Sequence, residues 1–280
     1  MSYKTVLVHC DGDRNAAQRV AVAADMAKRF SSHLVGLYVQ PPFSPPPFTE
    51  AAFAMGPLLE AYGQAVKAAR EAATRTFAEA VASKGLSTEW RTVEGPISEQ
   101  VIEASRCADL VVLGQADPER ATAISAPDDL AETVALGSGR PILLVPFIGA
   151  PSRVGGTVLL CWNASRESAQ VATAALPILR QAAKVVVLVV DGKSDAHDKA
   201  PPPGTDAVAW LGRHGIDAAL QQDISIDGDV GAAILSRVAN FGADLVVMGL
   251  YGHSRVREFV LGGASRTLLR SMTVPVLMVH

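Results

Sequence analysis

Short unbroken apolar runs alternate along the chain with longer stretches whose apolar positions recur every three or four residues. The short runs, rich in Val, Leu and Ile, fall at 5–9 (TVLVH), 34–39 (LVGLYV), 110–113, 142–145, 158–161, 185–190, 245–248 and 276–279. Runs of this length without polar alternation predict strands buried on both faces. More polar strands are predicted over 88–93 and 218–223. Helical spacing predicts a helix over 16–30, with Val20, Ala24 and Ala27 on one face, and another over 65–84 that Gly85 caps. Further helices are predicted over 98–105, 168–183, 205–214, 229–241 and from about Ser265. Pro177 lies inside one of them and is expected to kink it. Strands alternating with helices predict an α/β fold, a doubly wound parallel sheet with helices on both faces. Such sheets take ligands beyond the carboxyl ends of their strands, where the strand order reverses.

The whole pattern occurs twice. ADLVVLG at 108–114 is matched by ADLVVMG at 243–249, and PILLV at 141–145 by PVLMV at 275–279. TVLVHCDGDRNAAQRVA (5–21) parallels TVLLCWNASRESAQVA (157–172). Three matched blocks in one order, with similar gaps, define a duplication, and each copy has the length of a domain. Two tandem domains follow, 1–147 and 154–280, each with a five-stranded sheet. The segment FIGAPSRVGG (147–156) supplies the linker between them.

Composition narrows the class of partner. Apolar residues make up 49% of the 280 positions and the net charge is −3, with acids and bases interspersed. No basic block follows a phosphate backbone, so nucleic acid is not an expected partner. Cys10, Cys107 and Cys161 stand far apart without CxxC spacing, which favours buried thiols in a reducing compartment over a disulfide or metal site. No run approaches the roughly 20 apolar residues of a membrane span, and the apolar start is too short for a signal peptide. A soluble, cytoplasmic protein is expected. PPFSPPPF (41–48) reads as a stiff flap after the second strand, and PPPG (201–204) holds the same place in the second half.

The segment richest in chemistry is GLYGHSRVREFVLGGASRT (249–267). Gly249 and Gly252 permit a sharp turn after a strand and present bare N–H groups. Gly262 and Gly263 do the same before the next helix, whose N-terminus carries roughly half a positive charge. His253, Arg255 and Arg257 lie between them, where they can meet phosphate oxygens. The alternative on spacing alone is that the glycines only permit turns and the arginines are solvated.

The spacing Gly249, Gly252, nine residues, Gly262 resembles the G-x2-G-x9-G-[S/T] loop of the universal stress protein family. ADLVVMG, the closing VPVLMVH and the polar Asn163 after an opening strand resemble that family as well. The resemblance covers both halves and implies two Rossmann-like domains of the adenine nucleotide alpha hydrolase type, related by a pseudo-two-fold. It implies an intrachain pseudo-dimer joined through the last strands, 142–145 and 276–279, and is compatible with a homodimer of whole chains. It further implies an ATP site in the C-terminal half. Gly249, Gly252 and Gly262 match the loop, Asn163 stands where the family has an adenosine-contacting Asp, and Val189 is the match for the apolar contact to adenosine. Gly263 replaces the motif's hydroxyl residue, and Ser265 is the nearest substitute. The N-terminal half keeps Asp11 but places Asp117 at the position of Gly252, and Asp128 and Asp129 at those of Gly262 and Gly263. Carboxylates there repel a phosphate; they are equally the favourable acids of a helix N-terminus. Three functions remain open: a regulatory nucleotide-binding stress protein, a slow ATPase, or a scaffold for partner proteins.

Overall fold

The computed structural model describes residues 2–13, 15–44, 52–117, 124–151, 153–192, 201–251 and 263–280. One compact unit spans Tyr3–Arg140, and a second begins at Pro141. The first holds β1 (Thr5–Cys10), α1 (Ala16–Phe30), β2 (His33–Gln40), α2 (Ala52–Val81), β3 (Thr88–Glu94), α3 (Ile97–Ser105), β4 (Leu110–Gly114) and α4 (Leu130–Ser138). Its strands run parallel in the order β3-β2-β1-β4.

The second unit holds β5 (Ile142–Val145), β6 (Thr157–Cys161), α5 (Arg166–Leu179), β7 (Lys184–Val190), α6 (Thr205–Arg213), β8 (Ala218–Asp223), α7 (Val230–Phe241), β9 (Leu245–Gly249), α8 (Gly263–Ser271) and β10 (Val276–Val279). Here β10-β9-β6-β7-β8 are parallel, and β5 is antiparallel to β10. In that last pair Leu143 faces Leu277, its own counterpart in the repeat, with Ile142 opposite Met278 and Leu144 opposite Val276. The register is centred on equivalent residues of the repeat, and the pairing covers the edges of β5 and β10.

The apolar runs became strands because nothing in them needs water. Val6, Leu110, Leu159 and Val247 are all within 1% of complete burial. Alanines such as Ala23, Ala27, Ala172 and Ala175 are equally buried and let α1 and α5 lie close to the sheet. Local signals set the helix ends. Ser165 caps α5 by accepting from Ser168 N at 3.1 Å, Asp229 caps α7 by accepting from Ala232 N at 2.9 Å, and Gly242 (φ 60°) ends α7 in the left-handed region.

The repeated ADLVV block is structural at its Asp. The Asp109 carboxylate accepts from Lys4 N and Thr5 N at 2.7 and 2.9 Å, tying the start of β1 to the start of β4. Asp244 does the same for β6, accepting from Gly155 N, Gly156 N and Thr157 N at 2.9, 2.9 and 3.1 Å.

Three elements differ from the sequence expectation. Helix α2 begins at Ala52, well before 65, although Gly56, Pro57 and Gly63 lower its propensity. A tertiary bond reaches this early part, where Tyr62 Oη donates to Pro41 O, and just beyond it Tyr38 Oη donates to Val66 O at 3.2 Å. Helix α4, to which the apolar spacing assigned no range, follows Asp128 and Asp129, the acids read as favourable at a helix N-terminus, and carries Glu132 in its first turn. Pro177 falls in the last turn of α5, which ends two residues later at Leu179. Cys10 is buried and Cys161 partly so, but Cys107 is exposed, and all three are free thiols. Among the described residues, no helix is long and apolar enough to cross a membrane.

Candidate functional site

In the second unit the chain passes from β6 outward to β7 and β8, and from β9 back to β10 on the other side. The strand order therefore reverses between β6 and β9, and their carboxyl ends meet the loops that carry the predicted residues. Asn163 follows β6. Its Oδ1 accepts from Ser165 N at 3.2 Å, a turn that leads into the cap of α5. Ala164, between them, has φ 57°, a conformation that costs a residue with a Cβ about 1 kcal/mol or more. Glycine is the usual choice for such a corner.

Gly249 closes β9, but it does not make the expected sharp turn. Tyr251, at φ 62°, takes the left-handed position. Gly249 instead permits close packing: a Cβ there would lie 2.7 Å from the backbone of Glu167 and Ser168. The first turn of α5 thus rests on the end of β9, and only glycine leaves room for it. Glu167 was not anticipated from the sequence. Its side chain is 9% exposed and Arg166 Nη2 approaches it at 3.1 Å. Burial works to raise its carboxyl, but bonding to the backbone, to Ser165 and to Arg166 outweighs this and keeps it below the usual range. An acid in a helix's first turn is the sequence signal that could have marked it.

Val189 is 4% exposed. Its methyls face Gly192 and Gly204, where an added Cβ would lie 2.8 Å away in each case. Ser265, in the first turn of α8, is buried, and its Oγ lies 3.5 Å from Tyr251 N, which donates to it. Gly263 is the first residue of α8, and no atom of the described residues lies within 4 Å of where its Cβ would stand. The structure therefore brings Asn163, Gly249, Ser265 and Gly263 to the carboxyl end of one sheet. Gly252, His253, Arg255 and Gly262 lie outside the described residues.

The corresponding place in the first unit is built differently. Asp11 makes the same turn after β1, accepting from Asp13 N at 3.1 Å. Its Oδ1 also accepts from Arg19 Nη2 at 2.7 Å, and His9 Nδ1 lies 3.8 Å from Oδ2. The Arg19 side chain is only 7% exposed and fills the space over Gly114, where any Cβ would collide with the guanidinium. Gly12 packs against α2, where a Cβ would lie 2.9 Å from Ala69. Matching the buried positions of α1 and α5 sets Arg19 opposite Val171, and the repeat sets His9 opposite Cys161 and Asp11 opposite Asn163. The three members of the buried cluster are replaced together in the second unit. Asp129 stands at the N-cap of α4, where its Oδ2 accepts from Thr133 Oγ1 at 3.3 Å.

Burial pushes the Arg19 guanidinium towards neutrality and Asp11 pulls it back more strongly. Burial likewise works to raise the Asp11 carboxyl, yet the Arg19 charge holds it below the usual carboxylate range. For His9 burial wins, and the imidazole is held down to about 4 from 6.5 despite the nearby carboxylate. A histidine with a lowered folded pKa takes its proton more readily in the unfolded chain. The stability due to the neutral ring is complete above about pH 6.5 and is lost as pH falls towards 4, a change on the order of 3 kcal/mol. Thermal melts between pH 7.5 and 4 should show this limb, and His9→Cys, copying Cys161, should flatten it. An unchanged limb in the variant would assign the acid sensitivity to another group.

A duplicated, doubly wound α/β module with polar residues at its strand-order reversal defines a Rossmann-like protein. The family model for the universal stress protein family matches residues 2–145 and again 156–280. The chain belongs to that family, as a tandem two-domain member. Among solved structures, it is similar to a universal stress protein from Archaeoglobus fulgidus DSM 4304. The two are 17% identical, with 98% of this chain and 97% of that one covered at a TM-score of 0.69. It is also similar to a putative universal stress protein from Pseudomonas aeruginosa UCBPP-PA14, at 16% identity, 99% and 93% coverage and a TM-score of 0.56. Among curated proteins, none matches the chain.

Proposed function

We propose that this chain is a regulatory stress-response protein of the cytoplasm that binds ATP in its C-terminal domain (154–280), while the N-terminal domain (1–147) serves as its structural partner. The observation that carries this reading is the contrast between the two loops at the strand ends. In the first unit the polar residue after β1 is engaged by a buried cation from its own helix. In the second, Val171 takes that cation's place, Asn163 turns the chain from β6 into α5, and the first turn of α5 rests on the end of β9. A neutral amide that can both donate and accept suits an adenine or ribose edge. The α8 N-terminus suits phosphate, and the glycine-rich loop 249–263 supplies the backbone to cradle it.

Protein purified as the full chain should release nucleotide on denaturation, identified by mass spectrometry, and millimolar ATP should raise its melting temperature. The absence of both effects would sink the nucleotide reading and leave a scaffold. Gly262→Asp, which copies Asp128, should abolish binding, and retained binding would move the site elsewhere. Phosphate release by the wild type, absent in Gly262→Asp, would make the protein a slow ATPase. Gly263→Ser tests the phosphate end independently. A Cβ there meets no atom of the described residues within 4 Å. One added charge-assisted hydrogen bond should tighten ATP binding about tenfold. No change in affinity would mean that α8 does not face the phosphates.

A further inference from the structure

A second recess lies in the N-terminal unit, at the carboxyl ends of β2 and β3, where the reading above places nothing. It encloses about 390 Å³ between the segment after β2, the turn after β3 and the side of α2. Phe43 and Tyr62 form one wall, with ring centroids 5.2 Å apart at 61°. The Tyr62 hydroxyl donates to Pro41 O, which fixes that ring, and Gly95 N donates to Gln40 O at 3.0 Å, which fixes the floor. Gly95 has φ 143°, and a Cβ there would come within 3.1 Å of Gln100, so the turn after β3 needs its glycine. Glu94 is exposed at the rim and is the one charged residue among the described residues that line the recess. Its carboxylate is close enough to Tyr62 to help raise that phenol above its ordinary pKa, after the larger contribution of burial.

Proline and aromatic faces beside a single carboxylate form a defined chemistry. Ring faces attract cations through their quadrupole, and the carboxylate adds a charge of the right sign, whereas an anion would meet repulsion from both. The rings also give an apolar body something to cover, so a bare, strongly hydrated metal ion gains little there. We infer that this recess binds a small organic ammonium ion, with its alkyl groups against Phe43 and Tyr62 and its charge directed at Glu94.

The test uses the full chain with ring-labelled Phe and Tyr, and choline as the probe. Choline titration should shift the Phe43 and Tyr62 ring resonances saturably in the millimolar range. Its neutral carbon isostere, 3,3-dimethyl-1-butanol, should bind at least tenfold more weakly. Glu94→Gln should lose about tenfold in choline affinity. Tyr62→Leu, which keeps apolar bulk but removes the ring, should lose the Phe43 shift at the same choline concentration. Absence of shifts with choline would overturn the inference, as would equal affinity for the isostere or unchanged affinity in Glu94→Gln. The wild-type comparison of the two probes does not depend on any variant folding. ATP binding in the other unit is read separately, so failure of either assignment leaves the other standing.

Discussion

Asp11→Ala, made alone, is expected to destabilise the N-terminal unit by about 3–5 kcal/mol, because it leaves the buried Arg19 guanidinium without its counter-ion. Asp11 supplies the 2.7 Å ion pair to a side chain that is 7% exposed. The Arg19 Nε is already a buried donor with no partner among the described residues. Arg19 cannot escape by losing its proton, since a guanidinium stays charged throughout the accessible range. The reverse prediction is as specific. Asp11→Asn with Arg19→Val, which copies Asn163 and Val171, should lie within about 1 kcal/mol of the wild type, since well-packed neutral residues often replace a buried pair without loss. The double variant should therefore be far more stable than Asp11→Ala.

Urea unfolding can report this unit through Trp90, which packs 5.3 Å from Phe77, once Trp162 and Trp210 are changed to Phe. Should Arg19→Val add a further loss to the Asp11 variant instead of rescuing it, the pair would not be the coupled unit described here.

Asp244→Ala is the second large effect expected, a loss of roughly 3 kcal/mol or more in the C-terminal unit. It removes a carboxylate that accepts three backbone N–H groups, and hydrogen bonds to a charged acceptor contribute about 1.5–3 kcal/mol each. The three contributions will not sum, since water can reach part of this half-buried site. Asp244→Asn keeps one oxygen and should recover about half of the loss. Asp109→Ala gives up two such bonds in the other unit and should cost less than Asp244→Ala. Unfolding followed through Trp162, just past β6, provides the measurement. A loss no larger than that of an ordinary exposed Asp substitution would remove Asp244 from the strand-tethering role.

Both effects fall on residues that the sequence displays without explaining. ADLVV appears twice, so the block is visible as a repeat, but the Asp could as well have served a ligand. Only the pairing of β1 with β4 and of β6 with β9 brings its carboxylate to the preceding strand's N–H groups. Arg19 is less legible still. It occupies a position of α1 that the helical period assigns to the sheet-facing side, where an arginine is not expected, and its partner lies eight residues earlier, across a turn. Gly249 was visible as glycine, and a turn was the natural inference. Its actual use, room for the backbone at the start of α5, depends on a helix 81 positions away in sequence. The early turns of α2 went unread because Gly56, Pro57 and Gly63 argue locally against a helix, and the bond that Tyr62 makes to Pro41 is tertiary.

The sequence by itself determined the duplication, the parallel α/β class, most strand and helix positions and the location of the glycine-rich loop, because each of these rests on short-range periodicity or on direct comparison of the two halves. The tertiary structure decided which polar residues hold strands together and how the last strands of the two repeats register about Leu143 and Leu277. It also decided that a buried Arg19–Asp11 ion pair locks the loop after β1, where the other repeat has Val171 and Asn163. Those outcomes depend on which side chains meet across the sheet, and on whether a charge brought out of water finds its partner there.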